Sequence, residues 1–403
     1  MSPSKARGKG KQIGRARVAA HPPVERAFLV GARTKRTRSG WSLEGSMEEL
    51  DHLARTAGAD VVGSLTQRLA APTPAHYIGK GKLEELLAAK EKVGYDLVIF
   101  DDELSPAQQR NLERELGVKV VDRTALILDV FARRARTHEG RLQVELAQQE
   151  YLLPRLAGRW PHLERLGAGI GTRGPGETQL ETDRRLIQHK IRHLKREIEA
   201  VRKHRALYRR RRSDQGIPVV ALVGYTNAGK STLLNALSNA DVLVEDKLFA
   251  TLDPTTRRIA LPGRGEALLT DTVGFIQKLP PKVVAAFRAT LEELGDADLL
   301  LHLVDIASDT AVEQCHTVED LLDDLGLGDK PRLLALNKVD LLGGEIEPDD
   351  EEATSRYVDQ LGSRIRSAVL ISAAKGWGLR RLSGVIAETL GHLRKGGLAD
   401  AEA

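Results

Sequence analysis

Gly224-Tyr225-Thr226-Asn227-Ala228-Gly229-Lys230-Ser231 is the stretch whose reading decides the fold. It has the full G-x-x-x-x-G-K-[ST] spacing and follows the apolar run Val219-Val220-Ala221-Leu222-Val223. After it, Ser231-Thr232-Leu233-Leu234-Asn235-Ala236-Leu237 has the pattern of a helix start. A buried strand, a glycine-rich turn and a helix N-terminus together make a phosphate cradle, because backbone N–H groups and the helix dipole both point at the anion. Lys230 is expected to reach the β- and γ-phosphates, and the Ser231 hydroxyl to ligate Mg²⁺.

The base is read from a second motif. Asn337-Lys338-Val339-Asp340 follows the strand-like Leu333-Leu334-Ala335-Leu336, at a carboxyl end where α/β sheets bind ligands. A carboxylate only accepts hydrogen bonds, so Asp340 suits the adjacent N1–H and N2–H₂ donors of guanine and repels the acceptor at adenine N1. Asn337 is expected to tie this loop to the phosphate loop, with the Lys338 stem along the base. Between the two motifs lies Asp271-Thr272-Val273-Gly274, after the apolar run Ala267-Leu268-Leu269-Thr270. Asp271 is expected to hold Mg²⁺ through water, and the Gly274 N–H to face the γ-phosphate. Ser372-Ala373-Ala374 follows Val369-Leu370-Ile371 and is expected to close over the base with backbone N–H groups. Phe249-Ala250-Thr251-Leu252-Asp253-Pro254 stands where a first switch belongs. Thr251 is the candidate second Mg²⁺ ligand, with Thr255 and Thr256 as open alternatives.

These motifs, in this order, make residues 217–394 resemble a GTPase domain of Ras-like architecture. Strand-like runs at 217–223, 257–262, 266–271, 298–304, 332–336 and 367–371 imply a mostly parallel, doubly wound sheet with one antiparallel edge. Two positions depart from the Ras pattern. The water-orienting Gln expected directly after D-x-x-G is replaced by Phe275, followed by Ile276, so intrinsic turnover should be slow. Asn227 sits inside the phosphate loop. GTPases resembling TrmE use Asn there with the first switch to hold K⁺, whose charge does part of the work of an arginine finger. The alternative is that Asn227 serves only to tolerate a left-handed backbone.

Upstream, residues 24–135 alternate strand-like runs near 27–31, 60–68, 97–100 and 118–121 with helical ones, including one near 46–57, which implies a second, parallel α/β domain. Tyr77-Ile78-Gly79-Lys80-Gly81-Lys82 opens a helix there and reads either as an anion site or as a plain helix start with solvent-facing lysines. Residues 136–212 read as an antiparallel helical hairpin built on Leu142, Val144, Leu146, Tyr151, Leu152, Leu153 and Leu156 in one helix and on Leu186, Ile187, Ile191, Leu194, Ile198 and Val201 in the other. Its connection, 167–179, holds Gly174, Pro175, Gly176, Glu177, Thr178 and Gln179 and is expected to belong to neither helix.

Composition is consistent with a soluble, multidomain protein. The 403 residues carry net charge +5 and a single cysteine, Cys315, which excludes a disulfide framework within the chain and fits a reducing cytosol. No apolar run has the length of a membrane span, and a cytoplasmic protein is expected; a monomer is expected as well. Charge is unevenly placed. Residues 1–17 have six basic side chains and no acid, and residues 133–212 hold 21 Lys and Arg against 9 Asp and Glu. Arg202, Lys203, Arg205, Arg209, Arg210, Arg211 and Arg212, together with Arg173, are the candidate RNA contacts, since such a segment on an otherwise acidic chain points to a polyanion.

Gly174-Pro175-Gly176-Glu177-Thr178-Gln179-Leu180-Glu181-Thr182-Asp183-Arg184-Arg185, joined to Phe249–Asp253 and to Asp271-Thr272-Val273-Gly274-Phe275-Ile276, resembles the HflX family of ribosome-associated GTPases. The resemblance covers residues 24–394. It implies an N-terminal α/β subdomain, a helical hairpin and a Ras-like P-loop GTPase domain. It also implies binding to the large ribosomal subunit and its rRNA, ribosome-stimulated hydrolysis of GTP to GDP, and splitting of stalled or idle ribosomes under stress. For some members it implies ATP at the N-terminal domain, which draws attention to Lys80 and Lys82. The chain departs from the pattern in a basic tail, 1–23, and in a short C-terminal tail, 395–403, where some relatives have a further domain. Two rival functions stay open: a GTPase of subunit assembly or RNA modification, and a GTP-sensing binding module with negligible turnover.

Asp340→Asn should weaken GTP binding by about 2–4 kcal/mol, the scale of lost charged hydrogen bonds. The variant should gain affinity for xanthosine triphosphate, whose C2 carbonyl prefers an amide donor; unchanged GTP affinity by titration calorimetry would remove Asp340 from the base site.

Overall fold

The computed structural model describes residues 24–34, 40–156, 175–213, 216–238, 248–249, 251–280, 283–284, 294–342, 350–365 and 367–399. The chain folds around two sheets. The first is built from β1 (Arg26–Thr34), β2 (Asp60–Leu69), β3 (Leu97–Phe100) and β4 (Lys119–Asp122), in the order β2-β1-β3-β4. All its pairings are parallel, as the short fully apolar run Leu97–Phe100 suggests for a strand covered on both faces. Helices α1 (Leu43–Thr56), α2 (Lys80–Val93) and α3 (Pro106–Leu116) form the crossovers, and α4 (Arg123–Arg134) follows β4.

Local chemistry starts these helices where they start. Ser42 accepts the Gly45 N–H at the head of α1, and Asp122 accepts that of Ala125 at the head of α4. Ser105 and Gln108 form a reciprocal capping box at α3, with Pro106 at its first position. Each cap satisfies an N–H that the helix itself leaves unbonded.

Next come α5 (His138–Leu152), capped by Thr137, and the long α6 (Pro175–Ser213). Leu142 and Leu146 of α5 pack on Ile191 and Leu194 of α6, and Ile187 and Ile198 flank them. Ion pairs Glu145–Lys190 (2.6 Å) and Glu150–Lys195 (2.7 Å) line the seam. One expectation is corrected here: Pro175–Gln179 belong to the first turns of α6 rather than to a loop. Proline is well suited to that place, since the first helical N–H has no partner in any case. Arg173 and the rest of the connection, 157–174, lie outside the described residues.

The second sheet has the order β10-β9-β8-β5-β7-β6. It is made of β5 (Val219–Gly224), β6 (Thr255–Leu261), β7 (Gly265–Asp271), β8 (Leu299–Asp305), β9 (Arg332–Asn337) and β10 (Ala368–Leu370). Only β6 runs antiparallel, paired with β7 at the edge. This is the mixed, doubly wound α/β topology of a P-loop GTPase. Helices α7 (Lys230–Ser238), α8 (Ala311–Asp324), α9 (Glu351–Leu361) and α10 (Leu379–Ala399) connect or follow its strands. α10 runs to Ala399, so residues 395–399 are helical rather than a tail; no proline interrupts them. The basic segment 1–23 lies outside the described residues, and among the described ones no helix is long and apolar enough to cross a membrane.

One hydrophobic cluster crosses between the two sheet units. It joins Trp41, Leu50, Leu128 and Phe131 from the N-terminal side with Tyr225, Phe249, Leu252, Phe275 and Ile276 from the nucleotide-motif side. Trp41 stacks on Tyr225 (5.6 Å between ring centres), and Phe131 meets Phe249 edge-on at 4.6 Å.

Candidate functional site

The motifs converge at the carboxyl ends of β5, β7 and β9. Gly224 ends β5, and the loop turns into α7 through Asn227 at φ 62° and Gly229 at φ 97°. Gly229 tolerates no side chain, because a Cβ there would lie 2.3 Å from Asn337 Nδ2. Asn227 adopts the left-handed backbone that was one of the two readings of this residue. Asn337 is 2 % exposed and works as a brace: Nδ2 donates to Ala228 O (2.8 Å), and Oδ1 accepts the Ala373 N–H (3.0 Å). A single amide therefore joins the phosphate loop, the N-K-x-D loop and the Ser372-Ala373-Ala374 loop.

The Lys338 ammonium pairs with Asp305 at 2.7 Å, Val339 is buried, and Asp340 stands half-buried beside them. The expected closure of the base site needs one correction. The N–H of Ser372 is taken by Trp377 O and that of Ala373 by Asn337, which leaves Ala374 as the loop's backbone donor toward a base.

Ser231, Thr251 and Asp271 meet. Ser231 Oγ lies 2.6 Å from Asp271 Oδ2 and 2.8 Å from Thr251 Oγ1, and Thr251 Oγ1 lies 2.8 Å from Asp271 Oδ2. The rival Thr256 hydroxyl is engaged with Thr270 at 2.9 Å, and Thr255 sits in the β6 ladder opposite Asp271. Asp271 Oδ1 is buried with no hydrogen-bond partner. Burial pushes the Asp271 carboxyl upward, opposed by Lys230 and by the Ser231 and Thr251 hydroxyls. Three hard oxygen donors and an unpartnered carboxylate oxygen fit a magnesium ion. Lys230 is also buried, its Nζ donating to Gly224 O (3.0 Å) and Tyr225 O (2.7 Å), and desolvation lowers its pKa to about 8.

The second motif lies against the phosphate loop. Thr226 N–H donates to Phe275 O (2.8 Å) and Phe275 N–H to Gly224 O (3.1 Å), while Thr272 Oγ1 donates to Leu222 O. Gly274 is demanded by this approach, as a Cβ would sit 2.9 Å from Thr226 Cα and 3.1 Å from Lys230 Nζ. Val273 is buried, and the Phe275 ring is 1 % exposed, in the cluster between the two sheet units.

Several residues assigned to nucleotide binding do other work. Phe249 and Leu252 are buried in that same cluster, and Ala250 lies outside the described residues. The Asp253 carboxylate accepts the N–H groups of Arg136 and Thr137 (2.8 Å each) and the Thr137 hydroxyl, at the head of α5. Packing here is tight, for a Cβ on Gly140 would lie 2.3 Å from Asp253 Oδ1. Tyr225 points its hydroxyl at Glu49 and accepts the Gln277 N–H at 2.8 Å. A carboxylate in a first-switch motif reads as a ligand-facing group, and only the tertiary fold places a helix N-terminus beside it.

The residues that sequence reasoning missed form one buried network. Arg123, 2 % exposed, pairs with Glu49 through Nη2 and with Asp101 through Nη1 (2.7 Å), and Nη2 also reaches Gln277 O. Lys278 bridges Asp101 and Asp102 from the switch side. Burial drives the Arg123 pKa down, but Glu49 and Asp101 reverse this and hold it above the usual arginine range. The Gln277 side chain is 2 % exposed with both amide atoms unpartnered. In sequence, Arg123 is one arginine among many; its only local signal is its place at the first position of a helix, just before the apolar run Ala125-Leu126-Ile127-Leu128.

Elsewhere, Gly79 is the N-cap of α2, and Lys82 pairs with Glu85 at 2.7 Å, as a plain helix start would have it. Arg202 and Lys203 are exposed on α6. Arg205 and Arg209–Arg212 continue the same helix.

This fold and site define a P-loop GTPase with an appended N-terminal α/β unit and helical pair. Residues 44–132 match the family described as GTP-binding GTPase N-terminal, residues 134–212 the GTP-binding GTPase middle region, and residues 219–338 the 50S ribosome-binding GTPase. The chain is 59 % identical over 305 residues to GTPase HflX of Caldanaerobacter subterraneus subsp. tengcongensis, covering 76 % of this chain and 71 % of that protein. It is 46 % identical over 347 residues to GTPase HflX of Escherichia coli, covering 85 % and 79 %. A crystal structure of a GTP-binding protein from Sulfolobus solfataricus in complex with GDP aligns over 92 % of this chain and 98 % of its own, at 25 % identity and TM-score 0.46. The chain belongs to the HflX family of GTPases and is a GTP hydrolase.

Two predictions follow from the buried charges. Polyphosphate favours the Lys230 ammonium, so the bound-state pKa must exceed the free value of about 8. GTP affinity should then be fully present below pH 8 and fall by up to about tenfold per pH unit above it. Calorimetry between pH 8 and 9 in buffers of different ionisation enthalpy should register proton uptake, and its absence would refute the depressed pKa. Arg123→Ala strands two buried carboxylates and should cost about 3–5 kcal/mol, seen as a melting temperature lower by on the order of 10 °C. A loss below about 1 kcal/mol would mean that water reaches the network.

Proposed function

We propose that this GTPase binds the large ribosomal subunit through α5, α6 and their connection and separates ribosomes into subunits, with hydrolysis releasing it. The observation that carries the reading is the Asp253 contact. The segment that holds Thr251 beside Ser231 and Asp271 also caps the helix on which basic α6 is packed. A nucleotide that repositions the first switch must therefore change the support of the helical pair.

In this proposal Ser231, Thr251 and Asp271 hold Mg²⁺, which supplies charge neutralisation at the β- and γ-phosphates. Lys230 and the phosphate-loop N–H groups, including those of Asn227 and Gly229, bind the phosphates. Asp340, with Asn337 behind it and Lys338 beside it, reads guanine. Gly274 N–H orients the γ-phosphate as a water attacks it, giving GDP and phosphate. Phe275 offers that water no polar group, so a full rate waits for a group supplied by the ribosome, or for K⁺ held by Asn227. Arg202, Lys203, Arg205 and Arg209–Arg212 neutralise rRNA phosphates, and Arg173 does so at the connection. The site of action is the cytoplasm. ATP at the N-terminal unit, near Lys80 and Lys82, stays an open second ligand; Lys82 pairs there with Glu85.

Sucrose gradients of purified ribosomes with the full chain and a slowly hydrolysed GTP analogue test the reading. Conversion of complete ribosomes to subunits is expected. Binding to free large subunits without conversion would favour the assembly-factor reading, and turnover unaltered by ribosomes would refute the coupling. Replacing Arg209–Arg212 with alanine should weaken ribosome binding and flatten its salt dependence, because fewer counterions are released. Asp253→Asn should leave GTP affinity within about twofold while reducing splitting at least tenfold, since an amide keeps the shape but loses charge-assisted bonds. Equal splitting by this variant would remove Asp253 from the relay.

A further inference from the structure

Between β8 and α8, three side chains of metal-binding type meet in the interior. His302 comes from the middle of β8, and Cys315 and Glu319 stand one turn apart on α8. Their exposures are 1 %, 1 % and 7 %, and their ligand atoms all lie within 4.8 Å of one another. The Cys315 Sγ to Glu319 Oε1 separation is 4.0 Å, and Ser363 Oγ orients that carboxylate oxygen at 2.5 Å.

An independent observation asks for a ligand. Both His302 nitrogens are buried without a hydrogen-bond partner. An imidazole sealed from water with donor and acceptor unused costs about 1–3 kcal/mol, and native interiors rarely leave such groups unpaired. Glu319 is a buried carboxylate whose hydrogen-bond partners among the described residues are a hydroxyl and a thiol.

We propose that His302, Cys315 and Glu319 form a buried zinc site that clips α8 to β8. The donor set of one imidazole, one thiolate and one carboxylate is that of a borderline-soft ion. Around zinc, such atoms stand about 3.3–3.7 Å apart, so modest side-chain rotation closes the present spacing. His302 is ready to ligate, because burial, then Arg332 and Lys230, lower its pKa to about 3 and keep the ring neutral. The Cys315 thiol is pushed up to about 12, chiefly by burial. Binding therefore forms one S–Zn bond, breaks one S–H bond and releases that proton to solvent. Thiolate and carboxylate cancel the ion's charge, so nearby Arg332 meets no added cation. A water completes the tetrahedron, and the burial excludes substrate, which makes the role structural. The strand so clipped ends at Asp305, the partner of Lys338 in the guanine loop.

The test uses the untagged full chain, purified without chelator. Elemental analysis should find a single zinc per chain, and cobalt titration of the stripped protein should give a sulfur-to-metal charge-transfer band with the visible bands of a tetrahedral site. Cys315→Val keeps a small apolar group at the position and should still bind GTP like the unmodified chain, which establishes that it is folded. It should lose the cobalt–sulfur band and bind zinc weaker by about 100-fold. Absence of both zinc and the cobalt–sulfur band from the unmodified chain would overturn the proposal. So would zinc binding undiminished in Cys315→Val, which would place the ion elsewhere.

Discussion

Arg123 is sealed from solvent, and a guanidinium in that position is tolerated only where opposite charges compensate it. Its partners come from three places: Glu49 on α1, Asp101 after β3, and the Gln277 carbonyl in the segment after D-x-x-G. Lys278 then balances the second oxygen of Asp101, and Tyr225 of the phosphate loop shares Glu49. Displacing Glu49 or Asp101 would leave buried charge uncompensated. The N-terminal sheet and the nucleotide-binding sheet are thereby held in one relation, and the strength of that hold depends on where the second switch lies.

The first switch divides its residues between two tasks. Thr251 faces Ser231 and Asp271, while Phe249, Leu252 and Asp253 on either side of it face the N-terminal unit. Residues on both sides of Thr251 pack on the N-terminal unit, so one short motif holds a site-facing hydroxyl and an anchoring face together. From Asp253 the contacts continue to Thr137, along α5 and across Leu142 and Leu146 to α6. The path from nucleotide to basic helix is therefore short, and every step is a packed or hydrogen-bonded contact.

The phosphate loop itself is held by few groups, each used more than once. Asn337 braces three loops through one amide, and its proximity is the reason for glycine at 229. Lys230 is kept by two backbone carbonyls in a dry setting, which prepares a desolvated cation for an anionic partner. Gly274 lets the second motif lie close enough for Phe275 and Thr226 to share a backbone hydrogen bond.

The chain's own order of residues determined the strand, loop and helix of the phosphate site, the guanine loop, the parallel sheet and the mixed one, and the meeting of Ser231 with Asp271. These follow from local period, glycine placement and fixed motif spacing, which neighbouring residues alone can express. Other features depended on contacts between residues more than a hundred positions apart, as with Asp253 and Thr137 or Tyr225 and Glu49. A carboxylate in a switch motif looks the same in sequence whether it faces a nucleotide or caps a distant helix. The buried Arg123 network, the choice of Thr251 over Thr256, and the gathering of His302, Cys315 and Glu319 were decided by the tertiary structure. In each case the deciding contact joins residues well separated along the chain, and such contacts are a property of the folded whole.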